Sequence, residues 1–320
     1  MRSKRRIKSG VFKSALILLM VSLLSPLPFA YATDAQDQSD PIEKAIYLQH
    51  HGDRAGALVL YEKVLQADPN NSVALIDRAV LHFSSGDRQK AYADINRALK
   101  VNMIDYNALR TRAVFKVESG NLNGAMTDYN EAIKWNKKDG AAYTNRGILY
   151  AKLGNTKAAL TDFEKAVSID NNLIARFHRM RLNPDQTAAR AEYEKLVQTS
   201  VTNDADHLTL SNAHNHFGFK EKAVQELDKA LATNPAYTAA LFNRAVLRNE
   251  LENKDGALAD YNKYIELNGS NPKAFFNRGL LRDKMSDREG SMNDIKRALE
   301  LDPQLKMREG MTKPFELMLG

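Results

Sequence analysis

Residues 142–163 read AYTNRGILYAKLGNTKAALTDF. Ala142, Tyr143, Gly147, Ile148, Leu149 and Tyr150 make a largely apolar stretch at helical spacing. Lys152-Leu153-Gly154-Asn155 then punctuates it: glycine permits the left-handed residue that ends a helix, and the asparagine can cap the next one. Ala158, Ala159 and Phe163 open a second stripe, so the segment predicts a helical hairpin. Arg146 stands in the middle of the first stripe. It is either a cation held for a ligand or part of the architecture.

The hairpin recurs with a period of 34 residues. Units run 38–71, 72–105, 106–139, 140–173, 174–203, 204–237, 238–271 and 272–305, the fifth short by four residues, and cover 268 of the 288 residues after position 32. A lone hairpin cannot bury its apolar face, so the period itself predicts an all-α solenoid. Small residues recur where the two helices of a unit must approach closely: Ala45, Ala79, Ala113, Gly147, Ala245 and Gly279 against Ala57, Ala91, Ala125, Ala159, Ala257 and Ser291. The fifth unit departs from the pattern. RMRLNPDQ (179–186) predicts an early stop with Asn183 as N-cap and Pro184 at the first helical position, and with the polar TSVTNDAD (199–206) it predicts a bend between 38–173 and 204–305. Residues 33–37 read as a polar linker. Lys306–Gly320, with Met307, Met311, Phe315 and Leu319, reads as a C-terminal cap interrupted by Pro314.

The unit length, the turn glycine, the small residues, the in-phase aromatics Tyr61, Tyr129, Phe163, Tyr193 and Tyr261, and Pro69, Pro235 and Pro303 together resemble the tetratricopeptide repeat family. The resemblance implies a right-handed α-α superhelix whose first helices line a concave groove. At the family's groove positions this chain carries Ile76, Val80 and Phe83; Arg110, Val114 and Val117; Ile148 and Lys152; Phe242, Val246 and Asn249; and Phe276 and Leu280. Those residues predict an apolar groove for an amphipathic helix or an extended peptide. Coverage of the groove by the chain's own C-terminal segment, or by a second copy, is the competing reading. Some members grip a peptide carboxylate with Lys and Asn at positions 5, 6 and 9. Here a lone Asn212 occupies position 9, so that clamp is not expected.

In phase with Arg146 stand Arg78, Arg112, Arg176, Arg244 and Arg278, and sixteen residues after each comes an acid: Asp162, Asp94, Asp128, Glu192, Asp260 and Asp294 respectively. The two positions are equally far from the turn, so closing the hairpin brings them level on opposing helices. Six structural ion pairs are the expectation, with arginine suited by its planar multi-donor head. The first unit, with Lys44 and Leu60, and the sixth, with Leu210 and Glu226, lack the pair.

The N-terminus has another character. Arg2, Lys4, Arg5, Arg6, Lys8 and Lys13 precede ALILLMVSLL (15–24) and the small-residue site Ala30-Tyr31-Ala32, the layout of a signal peptide cleaved before Thr33. An uncleaved segment would instead anchor the chain in a membrane. The formal net charge is +7, but six of the 46 Lys and Arg lie in the first 32 residues, so 40 face 39 Asp and Glu afterwards. A basic nucleic-acid-binding surface is therefore not expected. There is no cysteine, so neither disulfides nor a lipidated cysteine enter.

Catalytic signatures are missing: no HExxH, GxSxG, GxxxxGK[ST] or EF-hand loop occurs. His207 and His214 share a helix face two turns apart, too far to hold one ion unaided. No metal, cofactor or enzymatic activity is expected. The expected function is an exported scaffold of the bacterial periplasm or cell envelope that binds a protein or peptide and assists assembly of an envelope or secretion complex. The alternative is an accessory role in cell-wall or exported polysaccharide; glycan binding usually needs exposed aromatics beside polar groups, and the single tryptophan, Trp135, falls in a second helix at an apolar repeat position.

Overall fold

The computed structural model describes residues 40–305, and the expected signal segment, the linker at 33–37 and the C-terminal cap at 306–320 lie outside them. The described residues form sixteen helices and no strand. We number them α1 (Pro41–His50), α2 (Arg54–Ala67), α3 (Ser72–Ser84), α4 (Arg88–Val101), α5 (Tyr106–Glu118), α6 (Leu122–Trp135), α7 (Gly140–Lys152), α8 (Thr156–Asp170), α9 (Leu173–Leu182), α10 (Gln186–Leu196), α11 (Asp204–His216), α12 (Lys220–Thr233), α13 (Thr238–Glu250), α14 (Lys254–Leu267), α15 (Pro272–Lys284) and α16 (Arg288–Leu301). Odd and even helices pair as hairpins, and each hairpin stacks on the next in an all-α superhelix.

The sequence sets each hairpin through its turn. At Gly154 φ is +81°, a conformation in which a side chain costs about 1–2 kcal/mol, and Asn155 then caps α8 by accepting from the Ala158 N–H. Four other turns use glycine in the same way, while Glu252 and Ser286 hold the corresponding left-handed place in the last two units at φ 60° and 67°. Close approach explains Gly147: a Cβ there would lie 2.7 Å from the Phe163 ring and 3.2 Å from the Ala159 carbonyl. The core is a chain of clusters between neighbouring hairpins, with Tyr61, Tyr129, Phe163 and Tyr261 fully enclosed.

Two features differ from expectation or extend it, the first in the irregular region. Asp185, not Asn183, caps α10. Its Oδ1 accepts from the Thr187 and Ala188 N–H groups, while Asn183 ends α9 and turns its own Oδ1 to the Asp185 N–H. A carboxylate two residues nearer the helix reaches the free N–H groups that Asn183 cannot. The second feature is curvature: α1/α3, α3/α5, α5/α7, α7/α9 and α9/α11 touch, so the first helices crowd along the inside.

The array curls until its first hairpin reaches the sixth and seventh. Arg54 Nη1 donates to the Leu267 carbonyl at the end of α14 at 2.7 Å, and His50 Nε2 lies 3.3 Å from Asp204 Oδ2, which also accepts from Asn234. Gly52 sits against Ala236 so closely that a Cβ would come within 2.7 Å of its side chain.

Candidate functional site

The cation that raised the first question is occupied on every side. Arg146 Nε and Nη2 donate to Asp162 Oδ2 and Oδ1, both at 2.8 Å, and Nη1 donates to Asn130 Oδ1 at 2.8 Å. Its guanidinium carbon stands 5.5 Å from the Tyr143 ring centre and 5.8 Å from that of Tyr150. Hydrogen bonding to Asp162 raises its pKa against the opposing effect of burial. Arg146 is thus tied into the fold rather than turned to a ligand.

The same two-pronged geometry joins Arg78 to Asp94, Arg112 to Asp128, Arg244 to Asp260 and Arg278 to Asp294, with bonds of 2.6–2.9 Å. Arg176 reaches Glu192 with Nε alone, at 3.0 Å. The remaining prong reaches a partner that the sixteen-residue spacing does not reveal. Arg112, Arg146, Arg244 and Arg278 donate through Nη1 to Asn96, Asn130, Asp228 and Asn262, each on the second helix of the preceding unit. One side chain therefore staples its own hairpin and the unit before it. The sixth unit substitutes other partners: His207 Nδ1 lies 2.7 Å from Glu226 Oε2, and Lys229 donates to Oε1 at 2.8 Å.

The expected groove is largely filled. Val80, Val114, Val117, Ile148, Phe242 and Phe276 are buried, which corrects their assignment to an open surface. Val80 packs with Leu109 and Phe115 of the next unit, and Val114 and Val117 pack with Ile148 and Leu149. Phe242 meets Tyr261 and Tyr264 at ring-centre distances of 5.9 and 5.4 Å, and Phe276 packs with Ile295 and Leu305. For Val80, Val114, Val117 and Ile148 the physical reason is the close approach of neighbouring first helices, whereas Phe242 and Phe276 are covered within their own hairpins by α14 and α16.

What stays accessible is narrower and mixed. Ile76, Phe83, Val246 and Leu280 are half-buried, and Lys152 is exposed. Phe83 stacks on Phe115 with centres 4.2 Å apart. Arg110 is committed to Asp139 at 2.8 and 3.1 Å and to Asn107 at 3.1 Å. Asn249 accepts from Lys284 at 3.5 Å. Trp135 lies about half exposed, with the Lys134 ammonium 5.2 Å from its ring centre. His214 Nδ1 and the Tyr193 hydroxyl are 2.9 Å apart in the core, and among the described residues no group of His, Asp and Glu is arranged to hold a metal. No described helix is long and apolar enough to cross a membrane.

Family models described as tetratricopeptide repeat match residues 48–112, 140–173, 211–272 and 272–305, and one described as TPR repeat matches 116–154. Similar solved structures include yeast Tom70 (16% identity, TM-score 0.62, 94% of this chain and 69% of that one). Another is the APC/C hetero-tetramer Cut9-Hcn1 (14% identity, TM-score 0.55, 94% of this chain and 58% of that one). The chain thus spans 58% and 69% of the length of these two neighbours, and at such identities the likeness is one of fold. No curated protein matches the sequence.

Proposed function

The chain belongs to the tetratricopeptide repeat family, and from that premise we propose that it is a non-catalytic scaffold of the periplasm or cell envelope. It binds a polypeptide on the inside of the curl and helps assemble an envelope or secretion complex. The observation that carries this reading is the set of half-buried apolar side chains left on the first helices, Ile76, Phe83, Val246 and Leu280, with exposed Lys152 between them in sequence. Such a surface suits a segment with a few large side chains better than a long amphipathic helix, because the positions a helix would need are filled. Export rests on the layout of residues 1–32, and membrane contact enters only if that segment is retained.

The test is a photo-crosslinking amino acid placed at Phe83 and, separately, at Leu280, in cells of the source organism. One and the same envelope polypeptide is expected at both positions, and the purified chain should bind it directly. Capture of the chain itself at both sites would replace this reading with self-coverage. Half-exposed Trp135 supports a second reading, an accessory role in polysaccharide assembly, since an aromatic face beside polar groups suits sugar rings. Retention of cell-wall glycan that is lost in Trp135→Ala would favour it.

A further inference from the structure

The turns that join one unit to the next repeat as the hairpin turns do, and two of them break the pattern. In the first, sixth and eighth units this turn carries Pro69, Pro235 and Pro303, and Asp68 and Asp170 stand one position earlier in the first and fourth. In the second and third units Asn102 and Asn136 take the place of the acid, and Met103-Ile104 and Lys137-Lys138 follow. Just before them Val101 and Trp135 end α4 and α6.

These two turns lie side by side. Arg110, near the start of the helix that follows the first turn, is paired with Asp139 at the end of the second. Together they present four of the eight exposed large apolar side chains among the described residues: Val101, Met103, Ile104 and Trp135, each between 43% and 78% exposed. Exposed apolar side chains are ordinarily scattered singly, so a cluster of four marks a surface that meets something.

The charge around the cluster has one sign. Lys100, Lys137 and Lys138 are exposed with no carboxylate partner among the described residues, while Lys134, beside the Trp135 ring, is balanced by Glu131 at 3.0 Å. The acids of the turns are held elsewhere. Asp105 caps α5 and accepts from the Ser72 hydroxyl, and Asp139 is paired with Arg110.

We infer that this rim docks on an anionic lipid surface, with Met103, Ile104 and Trp135 entering the headgroup layer and the lysines meeting lipid phosphates. Tryptophan suits that layer because its ring is apolar at one end and a hydrogen-bond donor at the other. Lysine stems lie along apolar surface while their ammonium groups reach the anions, and clustered lysines are drawn to an anionic leaflet. Met103 and Ile104 beside the ring favour acyl chains over sugar, whose hydroxyls they cannot bond. The rim is built from the ends of second helices and the turns after them, not from the first helices assigned to a polypeptide. The inference therefore goes beyond the scaffold reading, needs no retained residues 1–32, and does not fall with either.

Trp135 is the only tryptophan, so its fluorescence reports on this rim within the full chain. The full chain is mixed separately with vesicles of phosphatidylcholine, with vesicles of phosphatidylcholine and phosphatidylglycerol, with the latter carrying brominated acyl chains, and with soluble peptidoglycan fragments. A blue shift of Trp135 emission is expected with phosphatidylglycerol present, quenching by the brominated chains, and neither with phosphatidylcholine alone. Salt should weaken the binding, and the double variant Lys137→Gln, Lys138→Gln should weaken it about tenfold or more. Met103→Ser with Ile104→Ser should reduce the quenching as well, and because all four positions are exposed, the circular dichroism melts should match the parent. Absence of quenching in the phosphatidylglycerol vesicles would overturn the inference. So would equal quenching in the lysine variant, the result that attachment through residues 1–32 alone would give. A blue shift with the peptidoglycan fragments and none with vesicles would assign the rim to sugar instead.

Discussion

Arg146 holds two oxygens of Asp162, one of Asn130 and two flanking rings, so its replacement strands a carboxylate that is only 6% exposed. Arg146→Ala should cost about 3 kcal/mol, the scale for breaking an enclosed pair from one side. Arg146→Lys should recover only part of it, because a point charge cannot span Asp162 and Asn130 together. Chemical denaturation measures both, and unchanged stability accompanied by weaker partner binding would return Arg146 to the role of ligand cation. Asp77, one residue before Arg78 in the second unit, shows the opposite economy. It is buried with Oδ2 unpartnered, no cation offsets the burial, and its pKa is pushed up to about 7. Because the folded value lies above the unfolded one near 4, the folded state holds the extra proton in between. The contribution of Asp77 to stability is then fully present below pH 4, is lost as pH rises through about 7, and stays absent above it, a change on the order of 4 kcal/mol. Asp77→Asn should flatten that limb, matching the parent at pH 4 and exceeding it at pH 8 in urea midpoints. The arginine–acid pairs could be read from spacing alone. Asn130 and its equivalents could not, since that place alternates among Asn96, Asn130, Asp228 and Asn262 and shows no fixed residue type to a search for charge partners.

At the scale of the hairpin, the turn decides how well two helices close. Gly154 and four other glycines take positive φ freely, but Glu252 and Ser286 do the same work with side chains. A left-handed L-residue costs about 1–2 kcal/mol, offset by the flexibility glycine adds to the unfolded chain, about 0.4–1 kcal/mol. Ser286→Gly is therefore expected to raise stability by up to about 1 kcal/mol, and Gly154→Ala to lower it. A thermal melt of each variant checks the sign. The helices and turns were legible because every unit repeats the same local chemistry. The end of α9 was not: Asn183 and Asp185 both suit a cap, and only the chain's course after Leu182 selects the carboxylate.

The molecule as a whole shows what local patterns leave out. Val80, Val114 and Ile148 occupy positions that a looser superhelix would expose, and their burial follows from how tightly neighbouring first helices converge. That curvature is a property of the stack, summed over eight units, and no single unit spells it. The closing contact of the first hairpin is equally remote from local sequence. Arg54→Ala removes the charged donor from the Leu267 carbonyl and should open the curl, with a larger radius of gyration in small-angle scattering at unchanged helical circular dichroism. An unchanged radius would show that crowding along the inside, rather than the closing contact, holds the shape.

That contact also alters how the chain comes apart. In an open stack each hairpin answers only to its neighbours, and the ends fray first. Here Arg54 and Leu267 are 213 positions apart, so the first hairpin is at once a terminus and an interior neighbour. It cannot loosen without releasing the sixth and seventh, and on folding it finds its last partner only after the rest has formed. The array should unfold less like a zipper drawn from one end than like a band that must first be cut.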